Sequence, residues 1–74
     1  MRGTYHMHNG VWHVRVEDPA VAPGDVVEIP RTRGMVHRHK VDAVLLADGD
    51  AWICSIVPVT RERIEEVYGK PENR

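Results

Sequence analysis

A chain of 74 residues with a formal net charge of −1 makes one small domain and excludes a global electrostatic drive toward nucleic acid or membrane. Its single cysteine, Cys54, excludes an internal disulfide, and no apolar run approaches the roughly 20 residues that a bilayer crossing needs. With no apolar leader segment either, the expectation is a soluble protein of a reducing cytoplasm, with no membrane partner and with any electrostatic function confined to a patch.

A chain this short buries only about 60% of the surface its unfolded form exposes, so the margin of stability is thin. There is no Phe, which leaves Tyr5, Trp12, Trp52 and Tyr68 as the aromatic payload. Valine dominates the aliphatic residues, and its stiff branched side chain favours strands.

Taken in order, Thr4 to His8 and Val11 to Glu17 flank Asn9-Gly10, the pair that suits a type I′ hairpin turn. A two-residue loop fixes the register, setting Met7 across from Trp12, His6 across from His13 and Tyr5 across from Val14. One face then holds Tyr5, Met7, Trp12, Val14 and Val16 and is expected in the core; the other holds His6, His8, Val11, His13 and Arg15 and is expected to be wet. Asp18 to Gly24 carries two prolines and reads as a loop. Asp25 to Ile29 is a short strand with Val27 and Ile29 on one face, ended by Pro30. Val36 to Leu46 is long for one strand and its apolar parity shifts, which predicts a bulge or bend near Lys40. After the Asp48-Gly49-Asp50 turn, Ala51 to Val57 alternates so that Trp52, Cys54 and Ile56 join Trp12 inside. Pro58 stops that strand, Thr60 is placed to cap a short helix from Arg61 to Tyr68, and Gly69 and Pro71 are placed to close it. The ends, residues 1–3 and 70–74, are expected to fray. These runs predict a mainly β fold, a small antiparallel barrel or sandwich in one domain over residues 1–74 with a helix over 60–68.

Val11-Trp12-His13-Val14-Arg15-Val16, Pro23-Gly24-Asp25-Val26-Val27-Glu28-Ile29, the basic turn with Gly34, Val41 to Val44, and Trp52-Ile53-Cys54-Ser55-Ile56 form a pattern. It resembles small SH3-like β-barrel modules that occur alone or appended to larger proteins in actinobacteria and their phages. The resemblance spans roughly Val11 to Ile56. It implies a five-stranded antiparallel SH3-like barrel, with an OB-like barrel as the alternative, and a setting among DNA-handling proteins.

The sharpest functional signal is the run from Pro30 to Lys40, which holds Arg31, Arg33, Arg38 and Lys40 with no acid between Glu28 and Asp42. Neither face of Val36 to Lys40 is apolar, so this segment is expected to project as a basic arm. Its four cations, with His37 and His39, suit the phosphates of DNA or RNA. No aromatic is expected beside it to stack a base. The same charges suit an acidic protein, and the bland reading is a solvated tip that protects a sheet edge.

His6, His8 and His13 share the expected wet face, and three imidazoles from adjacent strands can hold zinc with one position open. The bland reading is an imidazole-rich surface. Ile64, Val67 and Tyr68 make a helical stripe at i, i+3 and i+4 that either plugs the barrel or binds a protein partner or a second copy. Cys54 reads as an inert core residue, and no catalytic constellation or phosphate-cradling glycine loop is present. The expectation is therefore a non-enzymatic binding module. Nucleic acid is the first candidate ligand; a protein bound through the barrel edge and helix, such as a host protein modulated by a phage-encoded module, is the second.

Overall fold

The structure, a computed structural model, describes residues 1–68. Its elements are β1 (Gly3–His8), β2 (Val11–Val16), β3 (Val26–Pro30), a 3-10 turn (Thr32–Gly34), β4 (Val36–Asp48), β5 (Ala51–Ile56), a second 3-10 turn (Arg61–Arg63) and a single helical turn α1 (Ile64–Tyr68). The strands form one curled antiparallel sheet in the order β1-β2-β5-β4-β3, a half-barrel with little helix.

The first hairpin has the register that its turn dictates. Asn9 and Gly10 both adopt positive φ, 51° and 77°, and Tyr5 faces Val14, His6 faces His13 and Met7 faces Trp12. The long β4 is what curls the sheet. Its first part pairs with β3 from Val26–Lys40 to Pro30–Val36, and its second pairs with β5 from Val41–Ile56 to Asp48–Ala51. The change of partner falls after Lys40, where the bend was expected, while the irregularities in pairing come slightly later, between Val41 and Ala43 and between Val44 and Leu46. Each skipped residue adds bend and twist to the strand.

Curling brings the two outer strands together. Arg2 bridges Glu28 in parallel, and the Glu28 N–H donates to the Met1 carbonyl at 2.7 Å. Residues 1–3, expected to fray, are instead fastened to β3. The approach is close at Gly3, where a Cβ would lie 2.7 Å from Val27 Cγ1 and 2.8 Å from the Arg15 carbonyl oxygen.

Inside the curl lie Val14, Val16, Val27, Ile29, Val41 and Cys54, with Tyr5, Val44, Trp52 and Ile56 packed against them. Val21 reaches this cluster from the proline loop, which is held by the Asp18 carboxylate accepting from the Ala20 N–H at 2.8 Å and the Asp25 carboxylate accepting from the Ala22 N–H at 2.9 Å.

The first hairpin departs from expectation at its far end. Trp12 is 56% exposed and Met7 is exposed too, because β2 pairs with β5 only from Val14 to Val16 and both residues lie beyond that ladder. His13, expected to be wet, is 8% exposed, its Nδ1 donating to the Val11 carbonyl at 2.9 Å and its ring meeting His8 edge-on at 5.2 Å.

The C-terminal segment is less helical than its pattern predicts. Thr60 has an extended backbone but its side chain makes no capping bond, and the segment opens as a 3-10 turn. The Arg63 guanidinium anchors it instead, donating to the carbonyls of Val57 and Pro58 at 3.1 and 3.0 Å. Val67 is fully buried while Ile64 and Tyr68 are exposed, so the expected stripe is split between the interior and the surface. The closure expected at Gly69 and Pro71 and the fraying of 70–74 lie outside the described residues.

Candidate functional site

The basic run does not stand away from the sheet as an arm. Its strand is paired up to Val36, and the tip is a closed loop in which Arg31 N–H donates to the Met35 carbonyl at 2.7 Å and Met35 N–H to the Thr32 carbonyl at 3.2 Å. Arg33 takes a left-handed φ of 60°, followed by Gly34 at 72°.

Strand alternation then sorts the residues. Arg38 and Lys40 point outward, and Arg38 Nε donates to the Glu28 carboxylate of the facing strand at 3.3 Å, which shares out its charge. His37 and His39 point inward. His39 is only 3% exposed, so it is removed from the residues able to touch a ligand. Arg31, Arg33 and Lys40 are exposed, and none of them forms an ion pair with a described carboxylate.

The two histidines turn inward because a hydroxyl receives them. Tyr5 Oη lies 2.8 Å from His37 Nδ1 and 2.7 Å from His39 Nε2, joining β1 to β4 across the curl. A phenol has one proton to give, so at least one imidazole must donate to it, and the hydroxyl proton finds a partner here when the other accepts. His39 Nδ1 is buried without a partner among the described residues, and a buried lone pair is cheaper to orphan than a buried N–H. Hydrogen-bond counting therefore assigns His39 Nε2–H as donor to Tyr5 and the Tyr5 hydroxyl as donor to His37 Nδ1.

This arrangement needs both imidazoles neutral. Burial lowers the pKa of His37, aided by Arg31, and burial lowers that of His39, aided by His37 and Arg63. Burial likewise raises that of the Tyr5 hydroxyl, with Tyr68 adding to the rise and Arg31 opposing it.

The unfolded chain takes up protons at these histidines near pH 6.5 while the folded chain resists, so stability is full above about pH 6.5 and is lost as pH falls through the lowered folded values. Thermal melts between about pH 7.5 and about pH 5 should show the midpoint falling only on the acid side; a midpoint that is flat or rises with acid contradicts the assignment.

Around Tyr5 the side chains form a cleft of about 420 Å³ lined by Trp12, Arg31, His37, Ile56, Val59 and Tyr68, with His39 at its base. Four rings run through it in series. Trp12 and Tyr5 are 5.7 Å apart, Tyr5 and His37 6.0 Å, and His37 and Tyr68 4.8 Å, each pair tilted or edge-to-face. The Arg31 guanidinium sits 5.4 Å from the Tyr5 ring centre. The expectation that no aromatic stands beside the basic tip is thus corrected: Trp12 and Tyr68 are exposed there. Their exposure follows from two features that hydropathy does not carry, the early end of the β2–β5 ladder and the return of the chain after Pro58.

The other candidates gather less. His6 and His13 are cross-strand neighbours as predicted and His8 meets His13, but His13 Nδ1 is committed to a backbone carbonyl. Among the described residues no three His, Cys, Asp or Glu side chains converge to hold a metal such as zinc. Cys54 is fully buried, and burial pushes its thiol up, away from the reactive thiolate. A second groove of about 460 Å³, beside Arg2, Gly3 and Pro30, mixes Arg15 with Glu17 and Asp18, and Arg15 is already paired with Glu17 and Asp48. No helix among the described residues is long and apolar enough to cross a membrane.

No family model, curated protein or solved structure matches this chain. The cleft and the basic tip therefore stand on their own chemistry.

Proposed function

We propose that this chain is a non-enzymatic nucleic-acid-binding module, an SH3-like small barrel of the cytoplasm that meets DNA or RNA with the β3–β4 tip and the adjoining cleft. One observation carries the reading: exposed Arg31 lines an aromatic cleft with no acid among its described lining residues, Arg33 is exposed two residues further along the tip, and neither pairs with a described carboxylate. Cations there meet phosphates, and a lining without acid offers a cationic ligand no countercharge. Lys40 and Arg38 lie on the outward face of β4, where Lys40 adds positive charge and Arg38, shared with Glu28, contributes less.

The reading is tested by salt. Binding should weaken steeply as salt rises, and the Arg31→Gln/Arg33→Gln variant should lose about 1.4 from the slope of log affinity against log salt on a single strand, two contacts at about 0.7 each. An unchanged slope overturns it.

A second reading, a protein-interaction module, is favoured by the exposure of Ile64 and Tyr68 on a segment pinned from below by Val67. Val67 itself is not available to a partner. That reading is preferred if Ile64→Asp abolishes an interaction on which the arginine pair has no effect.

A further inference from the structure

We infer that the cleft between Trp12 and Tyr68 takes an unpaired nucleobase, so that the protein selects single-stranded over duplex nucleic acid. The inference rests on the nucleic-acid reading above and names the form of the ligand. Its ground is the juxtaposition of rings and charge. Four rings in series are left open at both ends by Trp12 and Tyr68, and Arg31 stands over the middle of the row.

A base within a duplex has both π-faces covered by its neighbours and offers nothing to such a row. A base in a single strand has a free face, and stacking on an aromatic side chain tolerates any sequence. The cleft volume of about 420 Å³ falls within the roughly 300–1,000 Å³ of small-molecule sites, which suits one base rather than a helix. Arg31 lies on the same wall, so one residue faces both the base and the phosphate that follows it.

The interior of the cleft is joined by hydrogen bonds and ring contacts. The Tyr5 hydroxyl is clamped between His37 and His39, and His37 in turn meets Tyr68 edge-on. Trp12 meets Tyr5 on its inner side and is 56% exposed, so one side of its indole is open to a ligand.

The experiment uses the whole chain and two probes, a twelve-residue oligothymidylate and the duplex it forms with oligodeoxyadenylate, at low salt. The single strand should bind about tenfold or more tightly than the duplex and should quench tryptophan emission. Trp12→Ala should lose both the preference and the quenching, and Trp12→Phe should restore the preference. Far-ultraviolet circular dichroism of each variant establishes that it is folded. Equal or tighter binding of the duplex, or a preference that survives Trp12→Ala, overturns the inference while leaving the salt-dependent reading intact. If neither probe binds at low salt, both fall.

Discussion

Replacing Tyr5 with Phe should lower the melting midpoint by on the order of 10 °C, although it removes a single oxygen atom. The hydroxyl holds His37 Nδ1 and His39 Nε2 at 2.8 and 2.7 Å, and the other nitrogen of His39 is already buried without a partner among the described residues. Without Tyr5 Oη both polar atoms of a nearly fully buried imidazole lack a partner. Each such group costs about 1–3 kcal/mol, and each kcal/mol shifts the midpoint of a domain this size by roughly 4–8 °C. Phenylalanine keeps the ring contacts with Trp12, so loss of packing does not contribute. Calorimetry checks the prediction, and a midpoint within about 2 °C of the parent would show that the hydroxyl does not support the histidines.

Gly3→Val should be comparably severe, for a steric reason. Strand β1 crosses over β3 at this residue, and even the first added carbon would stand 2.7 Å from Val27 Cγ1 and 2.8 Å from a backbone oxygen, that of Arg15. Neither neighbour yields easily, since Val27 is fully buried and the Arg15 carbonyl belongs to β2. Overpacking of this kind costs about 1–3 kcal/mol, and branching at Cβ places the variant at or above the upper end. Its effect should be to lift β1 from β3 and break the Arg2–Glu28 bridge that closes the curl. Urea unfolding should show a lower midpoint for Gly3→Val and little change for Thr4→Ala, an exposed neighbour. Equal midpoints for Gly3→Val and the parent would mean that the two strands do not meet as closely as described.

How much of this was legible depended on the range of the interaction. The first hairpin was readable to the residue, because Asn9-Gly10 leaves one register and the partners are adjacent in sequence. The alternation of Val26 to Ile29, the bend after Lys40 and the core placement of Cys54 were readable for the same reason: period and turn chemistry are local. The site was half legible. Arg31 and Arg33 stand out as an acid-free cationic run, but polar residues on both faces of a strand look solvated, and so the sequence presents His37 and His39 as part of a projecting arm.

What makes them interior is a hydroxyl 32 and 34 residues away, which no periodicity reports. Trp12 differs from expectation in the opposite sense. Its hydrophobicity and its shared face with Val14 said core, yet the covering strand β5 reaches only as far as Val14. A sequence signal did exist for the cleft: Tyr5 and Trp12 flank one turn as diagonal neighbours, near enough for their rings to meet. Only the closure of the sheet brings Arg31 and Tyr68 to them.

The central claim is that the arginine tip and the ring-lined cleft form one surface for nucleic acid. Its most direct test is a proton–nitrogen correlation spectrum of the labelled protein titrated with oligothymidylate at low salt. The account predicts shifts at the Trp12 indole and at the amides of Arg31, Arg33 and His37, which shrink together as salt is raised. Shifts confined to the opposite face around Arg15 and Asp48, or none at all, would contradict it.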